Sequence, residues 1–326
     1  MTTWSVRRMQ MAAAAAGVIA LAAIGAGAAL GAFAGDPASK PGRLVTLPDH
    51  RKLNFRCAGQ GSPTVLLESG FGADSNAWFK VAPRIAQVTR VCAYDRAGYG
   101  FSDPGPMPRD GAAIARDLDA GLKAGRIKGP FVVIGHSAGG LYARLFAARR
   151  RDEVVGLVFV DTSVEHQTQR IQAIYGPGVG GVESIERRPL ECQRLTSAAH
   201  ASADDPALKD CVPSKGDEHQ RQLSLRPEYW RTQVSELDNL FTSTSDEVDR
   251  IGPLLQDIPA VVLTAGEADG SGVPPVGPWQ TFHAQLAASF HKSERRVVKS
   301  SHLMMIDRPE VVADAAIGLV EAARKP

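Results

Sequence analysis

The stretch of the chain with the clearest chemical content is residues 131–140, which reads FVVIGHSAGG. Its centre is Ser137, in a G-x-S-x-G pattern with Gly135 and Gly139 on either side. An apolar run precedes the pattern and an alanine-rich segment with helical spacing follows it, which predicts a strand, a sharp turn and a helix. The residue at the apex of such a turn has a strained backbone, so its neighbours must be small. The pattern therefore predicts that Ser137 is lifted clear of the sheet as a nucleophile.

The helix predicted after Ser137 contributes a second feature to this chemistry. The first N–H groups of a helix lack intrahelical partners, and the helix dipole has its positive end there. Both favour negative charge that develops beside the serine. This is the environment that an acyl-transferring nucleophile needs.

Composition and charge describe an ordinary globular protein. The 326 residues are 44% hydrophobic and 22% charged, which is enough apolar material for a large core. Lysine and arginine total 37 against 35 acidic residues. We find neither a basic face typical of nucleic-acid binding nor an acidic run typical of a metal store, so we expect no nucleic-acid partner.

The N-terminal residues 1–35 are predicted to be a signal peptide or a membrane anchor. Arg7 and Arg8 precede an uncharged stretch, residues 11–35, that is long enough to cross a bilayer as a helix. Its length favours a retained anchor, whereas the small-x-small pattern ending at Ala34 indicates signal-peptidase cleavage as the alternative. In either case the catalytic part lies outside the cytoplasm, and an anchor would make the membrane a partner.

The four cysteines all lie beyond this segment, where an exported protein can form disulfides. They are Cys57, Cys92, Cys192 and Cys211. Four cysteines allow three pairings. The alternative is that each is a small buried apolar side chain, as suits Cys57 and Cys92 in or beside predicted strands.

Alternating strand and helix patterns predict a mostly parallel sheet with helices on both faces. The eight predicted strands are residues 43–47, 52–57, 64–69, 90–95, 131–136, 153–161, 260–266 and 295–300. Helices are predicted over 78–87, from Asp110 as N-cap, after Ser137, over 279–291 and over 308–325. The polar stretch 162–252 is predicted to be an inserted helical cap. The domain prediction is thus a linker at 36–42, a core formed by 43–161 and 253–326, and the cap between them.

Four pieces of the chain together resemble the α/β-hydrolase family. They are VLLESGFG, YDRAGYGFSD, GHSAGG, and a late acid and histidine that follow the last two predicted strands. The resemblance covers nearly everything from Leu44 onward except the cap. It implies an eight-stranded α/β-hydrolase sheet and a Ser-His-Asp triad, with neither a metal nor an organic cofactor.

The resemblance assigns the general base to His302, in SSHLMMIDRPE after the last strand. Ser137 needs such a base because a serine hydroxyl is a weak nucleophile until its proton has an acceptor. His136 is expected to pack beneath the turn. Five further histidines are expected in polar cap or helix segments, where exposure is ordinary; they are His166, His200, His219, His283 and His291.

The third member of the triad holds the imidazole in the correct tautomer. The family usually carries this acid after the seventh strand, which points to Asp269 in TAGEADGSG, with Glu267 as a competitor in the same loop. Some relatives carry it after the sixth strand, so Asp161 is the alternative acid. Asp307 is expected to fix the loop before the last helix.

An oxyanion hole must supply preorganised N–H donors to the attacked carbonyl. The resemblance places one donor at Ala138 and the other at the backbone of Phe71. The family usually has histidine and glycine before the second donor, whereas this chain has Ser69 and Gly70. Asp95 and Arg96 are expected to hold the neighbouring loop together, with Ser102 as a turn residue.

The family's topology also bears on the cysteines. Its second strand runs antiparallel beside the fourth, which brings Cys57 near Cys92. Cys192 and Cys211 would then close a loop within the cap.

The function predicted from these residues is serine hydrolysis of a carboxylic ester of a small-molecule acyl substrate, through an acyl-enzyme. Alternatives with the same triad are amide or peptide hydrolysis, carbon–carbon cleavage of a diketone, perhydrolysis and acyl transfer. A non-catalytic binding protein is a further alternative, which the presence of both Ser137 and His302 disfavours. Aspartate-nucleophile chemistry is disfavoured because the apex residue is serine. The sequence does not indicate an oligomeric state.

The cap offers less chemical information. Four large side chains in it are expected to form its own small core or, alternatively, to line the substrate pocket; they are Tyr229, Trp230, Leu240 and Phe241.

Overall fold

The computed structural model describes residues 40–177, 183–198, 202–213, 218–266 and 276–325. The predicted signal or anchor, residues 1–35, lies outside this range, as do Asp269 and Glu267. Within the described ranges, no helix has both the length and the apolar character needed to cross a membrane.

A single eight-stranded sheet forms the centre of the described chain, with the order β1-β2-β4-β3-β5-β6-β7-β8. The first two strands pair antiparallel, β2 also pairs antiparallel with β4, and all other neighbours are parallel. The predicted fold class is therefore confirmed. The strands are β1 (Arg43–Thr46), β2 (Lys52–Ala58), β3 (Thr64–Glu68), β4 (Val91–Tyr94), β5 (Phe131–His136), β6 (Val154–Val160), β7 (Ala260–Ala265) and β8 (Ser293–Val298).

Helices cover both faces of this sheet. Eleven α-helices lie in the described residues: α1 (Ala82–Ile85), α2 (Gly111–Ala124), α3 (Gly139–Arg149), α4 (Gln167–Tyr175), α5 (Glu183–Thr196), α6 (Glu218–Ser224), α7 (Pro227–Leu240), α8 (Ser243–Leu255), α9 (Val276–Ala288), α10 (Met304–Asp307) and α11 (Pro309–Arg324). Two 3₁₀ helices accompany them, Ser75–Trp78 and Pro206–Leu208.

The central strand β5 shows why the chain needs cover on both faces. All six of its residues are buried. Val133 packs in one apolar cluster with residues of α2 and α3, while Val132 and Ile134 pack in a second cluster with residues of α1 and α11. Successive side chains of a strand point to opposite faces, so a continuous apolar run fits only a strand that is sandwiched between helices.

The edge strand β8 is different, because within the described part of the chain β7 is its one paired neighbour. Most of its side chains are exposed or half-buried. Glu294 and Arg296 form a salt bridge of 2.5 Å on this edge, beside the exposed Arg295. Charged side chains at an edge oppose pairing with further strands.

The predicted helix over 78–87 is wrong in its extent. The structure has the 3₁₀ helix Ser75–Trp78 and then the four-residue α1, Ala82–Ile85. Pro83 lies in the first turn of α1. A proline inside a helix lacks the N–H for a backbone hydrogen bond and clashes with the preceding turn, so Pro83 favours the start of a new helix over one continuous helix through this position.

Five helices, α4 to α8, lie between β6 and β7, in the region predicted to be a cap. The predicted boundary at residue 252 falls inside α8, which continues to Leu255. Tyr229 and Trp230 belong to a local cluster with Cys192 and Leu208, whereas Leu240 and Phe241 belong to the main core beneath. The large side chains of this region thus divide between a small core of its own and the core of the sheet.

Both predicted disulfides are present. Cys57 and Cys92 are opposite residues on the antiparallel pair β2 and β4, with Cα atoms 4.1 Å apart. Cys192 and Cys211 connect α5 to the segment that follows the second 3₁₀ helix, with Cα atoms 5.4 Å apart. The structure describes all four cysteines, and none of them is a free thiol.

Candidate active site

The turn between β5 and α3 has the strained geometry that the sequence predicts. Ser137 has a φ of 52°, in the left-handed region that L residues with a side chain rarely occupy. A Cβ atom on Gly135 would lie 2.6 Å from the carbonyl oxygen of Gly139, and one on Gly139 would lie 2.5 Å from the carbonyl oxygen of Glu68. Both positions therefore require glycine. Such strain costs on the order of 1–3 kcal/mol, and it persists where the surroundings fix it.

The backbone around Ser137 is fixed by hydrogen bonds on both sides. The Ser137 N–H donates to the carbonyl of Val160 at 3.2 Å, at the end of β6. The Ser137 carbonyl accepts from the N–H of Gly140 and of Ser163, each at 3.0 Å. Ala138 follows as the N-cap of α3, so its N–H lies at the helix end where partial positive charge collects.

His302 lies in the loop after β8, and its imidazole is largely buried. Its Nδ1 is 2.6 Å from Oδ2 of Asp161. Its backbone carbonyl accepts a hydrogen bond of 3.0 Å from Nε2 of His136, and the two imidazole rings are 4.6 Å apart. Because His136 immediately precedes Ser137, the structure brings His302 to the side of the turn.

Two hydrogen bonds from Ser301 fix the loop that carries His302. The N–H of Ser301 donates to Oδ2 of Asp307 at 3.1 Å, and its hydroxyl donates to the same oxygen at 2.5 Å. The structural role predicted for Asp307 is confirmed by these contacts.

Asp161 is the acid that the structure places against His302. It follows β6 directly, is 1% exposed and has a φ of 42°. Its other oxygen, Oδ1, accepts from the N–H of Ala265 at 2.8 Å and from Nε1 of Trp279 at 2.7 Å. Burial alone would raise the pKa of Asp161, but the hydrogen bond and charge of His302 hold that pKa below its usual value.

Asp269, the acid that the sequence favours, lies outside the described residues. The contact with His302 in the described structure is made by the alternative acid, Asp161. Both candidates follow the carboxyl end of a strand, β6 for Asp161 and β7 for Asp269. Parallel strands end at the same edge of a sheet, so strand pattern alone does not separate them. The donors that Asp161 binds, Trp279 and the N–H of Ala265, come from distant segments of the chain. A buried acid requires such donors, but the sequence does not show which of the two acids they reach.

His136 packs beneath the turn, as predicted. It is buried, and desolvation together with the nearby charge of His302 lowers its pKa to about 3. It is therefore neutral at physiological pH. Its Nδ1 faces the backbone at Gly70, where an added Cβ would come within 2.8 Å.

The loop after β3 approaches the serine closely. A Cβ atom on Gly70 would lie 3.1 Å from Cβ of Ser137, so only glycine allows this approach. Phe71 follows Gly70, and its backbone N–H belongs to the peptide unit that lies beside the serine. Phe71 therefore stays the predicted second oxyanion donor.

Arg96 and Asp95 hold these loops together, as the sequence predicts. The guanidinium of Arg96 donates to the carbonyls of Ser69 at 2.6 Å and Gly70 at 2.8 Å. The carboxylate of Asp95 accepts from the N–H of Ser75 and from the side chain of Asn54.

Sequence reasoning missed the carboxylate partners of Arg96. Glu68 at the end of β3 and Glu236 on α7 are both buried and both bind its guanidinium, at 3.0 and 3.1 Å. Burial raises the pKa of Glu68 to about 7, against the opposing effect of Arg96. A buried arginine in a loop cannot be paired with an acid on a distant helix from the sequence alone.

The exposure predicted for the histidines of cap and helix segments needs one correction among the described residues. His283 is fully buried, with Nδ1 2.9 Å from the Thr264 hydroxyl and Nε2 2.8 Å from the Thr162 carbonyl. Its helix α9 packs on β7 and β8, which explains the burial. His166 and His291 contact exposed aspartates, and His219 stacks on Phe101; His200 lies outside the described residues.

Comparisons with known proteins agree with this architecture. Among solved structures, DBJA superposes with a TM-score of 0.65 at 20% identity, covering 87% of this chain and 99% of that one. A thermophilic esterase from Thermogutta terrifontis superposes with a TM-score of 0.59 at 22% identity, covering the same shares of the two chains. A putative epoxide hydrolase from Pseudomonas aeruginosa also gives 0.59, at 20% identity, covering 86% of this chain and 96% of that one. At these identities the likeness concerns the fold.

Sequence relatives extend the comparison. An uncharacterised vacuolar membrane protein of Saccharomyces cerevisiae is 36% identical over 124 residues, which are 36% of this chain and 19% of the yeast protein. The chain spans about a fifth to a quarter of the length of the first such relatives. Lipase LipV of Mycobacterium tuberculosis is 27% identical over 179 residues, covering 54% of this chain and 64% of the lipase.

The Bacillus subtilis protein YqjL matches over a longer range. It is 23% identical over 264 residues, which are 81% of this chain and 83% of the bacterial protein. The sequence profile of the Alpha/beta hydrolase family matches residues 65–315, which is most of the chain and includes Ser137, Asp161 and His302. The chain therefore belongs to the alpha/beta hydrolase family.

Proposed function

We propose that this protein is a serine hydrolase that cleaves carboxylic esters through an acyl-enzyme. The observation that carries the proposal is the 2.6 Å contact between Asp161 and His302 at the side of the strained turn that presents Ser137. An acid, an imidazole and an activated serine in this arrangement are the parts that acyl transfer needs. The esterase and lipase among the similar proteins support the choice of an ester bond.

Acylation begins with attack of the Ser137 hydroxyl oxygen on the ester carbonyl. Asp161 accepts from Nδ1 of His302, so Nε2 is the nitrogen that takes the serine proton. The carbonyl oxygen becomes an oxyanion, which the N–H groups of Phe71 and Ala138 stabilise. The intermediate then expels the alcohol, which receives the proton from His302. His302 then takes a proton from a water molecule, which attacks the carbonyl of the acyl-enzyme. The bond to Ser137 breaks, the serine oxygen receives the proton from His302, and the carboxylic acid is released.

The neutral state of His136 suits this scheme. A second positive charge beside His302 would oppose the imidazolium that forms in each step. Because burial lowers the pKa of His136 to about 3, the neighbouring ring does not compete for the proton.

Two disulfides in the described chain indicate folding in an oxidising compartment, such as the cell exterior or the secretory pathway. We propose that residues 1–35 deliver the protein there. A retained anchor would hold the catalytic part at a membrane surface, and cleavage after Ala34 would release it.

A fluorophosphonate probe tests the proposed nucleophile directly, because it phosphonylates only an activated serine. We expect the purified protein to be labelled and Ser137→Ala to lose labelling. Ser163→Ala is the matched control, since Ser163 is a buried serine whose N–H contacts the Ser137 carbonyl. A folded wild-type protein that is not labelled would contradict the proposal and favour a binding protein.

Hydrolysis of p-nitrophenyl esters of increasing acyl length, beside anilide and diketone substrates, then identifies the bond. We expect turnover of esters and none of the diketone. Faster turnover of the anilide or the diketone would replace ester cleavage with one of the alternative reactions.

A further inference from the structure

Glu236 lies on α7, outside the sheet, yet its carboxylate is buried in contact with residues of the core. Its side chain is 1% exposed. Oε1 accepts from Nη2 of Arg96 at 3.1 Å and from the Tyr142 hydroxyl at 3.0 Å. Oε2 accepts from the Tyr99 hydroxyl at 2.8 Å. Three donors from two different core segments therefore converge on one carboxylate of a helix in the inserted region.

The first donor, Arg96, connects Glu236 to the loop that carries Phe71. Nη2 of Arg96 donates both to Glu236 and to the carbonyl oxygen of Gly70, at 2.8 Å. The Gly70 carbonyl and the Phe71 N–H belong to the same peptide unit. A trans peptide unit is planar, with its C=O and N–H pointing in opposite directions. A guanidinium fixed on the oxygen side therefore fixes the direction of the N–H.

The second donor, Tyr142, connects Glu236 to the other half of the oxyanion hole. Tyr142 lies on α3, the helix whose N-cap is Ala138, and is fully buried. One oxygen of Glu236 thus contacts both the residue that holds the Phe71 loop and the helix that supplies the Ala138 N–H. Among the described residues, Glu236 is an acid that joins these two segments through a single oxygen atom.

Electrostatics keep this arrangement rigid. Glu68 binds the other guanidinium nitrogen of Arg96 at 3.0 Å and also accepts from the Tyr94 hydroxyl at 2.5 Å. Burial would lower the pKa of Arg96, but the charges of Glu236 and Glu68 raise it well above its usual value, so it stays cationic. A buried cation held between two acids has few alternative positions, because each displacement leaves a charge without a partner.

Close packing also holds α7 against the core. A Cβ atom on Gly98 would lie 2.5 Å from Oγ1 of Thr232, one helical turn before Glu236. This contact leaves no space between the helix and the loop at Gly98. The position of Glu236 therefore follows the seating of α7 on the core.

We propose that Glu236 is a positioning residue that acts through Arg96 to aim the Phe71 N–H at the oxyanion. The inserted region would then contribute to the chemical step as well as to substrate access. The inference rests on the proposed function, since it assigns the support of that same oxyanion hole.

The test is Glu236→Gln, which keeps the size of the side chain but removes the charge that holds Arg96. Kinetics with p-nitrophenyl butyrate should show kcat lowered about 10- to 100-fold, less than the loss of a whole oxyanion donor, with KM changed less than about threefold. A boronic acid that forms a tetrahedral adduct with the serine should bind more weakly by a similar factor. A merely structural role would lower the melting temperature without changing this pair of measurements.

Asp238→Asn is the matched control, because Asp238 is an exposed acid on the same helix and should leave kcat unchanged. A folded Glu236→Gln with wild-type kcat and boronic-acid affinity would overturn the inference. If that variant does not fold, Glu236→Asp decides, since it keeps the charge but moves it back by one methylene. A fivefold or larger fall in its kcat supports the inference, and an unchanged kcat overturns it. Fluorophosphonate labelling of the wild type tests the proposed function separately.

Discussion

A buried acid lies at the carboxyl end of each of the two strands that flank β5, and the pKa values of the two acids shift in opposite directions. Glu68 ends β3 and pairs in register with Gly135, whereas Asp161 follows Val160 of β6, which pairs with His136. The pKa of Glu68 rises to about 7, and that of Asp161 falls below its usual value. Both are removed from water, so burial alone does not explain the difference.

The difference comes from what each carboxylate binds and which charges lie near it. Asp161 accepts from His302, Trp279 and the backbone of Ala265, and it lies near a second histidine, His283. Burial has the largest effect in raising the pKa of Glu68, and the charge of Glu236, which shares Arg96 with it, raises that pKa further. Two buried carboxylates at the ends of neighbouring strands therefore have different roles, one orienting a base and the other supporting a loop.

Replacing the acid of the triad should have the largest effect and tests the first half of this comparison. Asp161→Asn is expected to lower kcat about 10³- to 10⁴-fold, because the amide favours the wrong tautomer of His302. Steady-state ester hydrolysis measures the loss. Asp269→Asn is the matched variant, and a larger loss there than at Asp161 would move the acid to the loop after β7.

Removing Arg96, the cation that Glu68 and Glu236 share, tests the second half of the comparison. Arg96→Met leaves Glu68 and Glu236 buried without their partner and should lower the free energy of unfolding by about 3–5 kcal/mol. Urea denaturation measures this change. Arg296→Met breaks the surface pair with Glu294 and should change stability by less than about 1 kcal/mol. Equal losses in the two variants would show that burial of the Arg96 cluster has no special cost.

The pH dependence of stability should reveal the raised pKa of Glu68. The folded pKa of about 7 exceeds the usual value of 4.5, so folding favours the protonated form. Relative to Glu68→Gln, the wild type should be most stable below pH 4.5 and lose about 3 kcal/mol as the pH rises to 7 and above. Denaturation of both proteins across this range measures the difference. A difference that does not vary with pH would contradict the raised pKa.

The contribution of Asp161 to stability should change with pH in the opposite direction. Its stabilising contribution is present above the usual aspartate pKa of 3.8 and is lost as the pH falls through its lower folded value. A comparison of wild type with Asp161→Asn below pH 4 therefore sharpens the contrast with Glu68.

The smallest expected effect concerns the support of Asp161. Trp279→Phe removes the donor to Oδ1 and keeps most of the ring volume, so kcat should fall about tenfold, the value of one hydrogen bond to a charged group. Ester hydrolysis and a melting curve measure it together. A stable variant with unchanged kcat would show that the Ala265 N–H and His302 suffice to orient the carboxylate.

The parts of the site that the sequence predicted are those encoded locally. The turn at Ser137 depends on glycines next to it in the chain, and His302 follows a recognisable strand. The disulfide between Cys57 and Cys92 follows from strand topology once the family resemblance is seen. Neighbouring residues are thus enough for the turn and for the position of His302, whereas the disulfide also requires the strand order that the family resemblance supplies.

The parts that the sequence left open or missed depend on contacts between distant segments. The choice between Asp161 and Asp269 depends on how the loops after β6 and β7 fold against the loop at His302. The role of Glu236 depends on the direction in which α7 crosses the core, and no strand pattern records that direction. The burial of His283 depends likewise on how α9 lies on the sheet, and its helix alone does not reveal which side faces inward.

The charged strand β8 has a consequence for the behaviour of the protein at high concentration. A second molecule that extended the sheet at this edge would have to strip water from Glu294, Arg295 and Arg296 in exchange for a few backbone hydrogen bonds. The charges of these side chains thereby protect the edge from fibrous, edge-to-edge association of strands. Replacing Arg295 and Arg296 with valine would remove this protection and favour pairing of this edge with strands of other molecules.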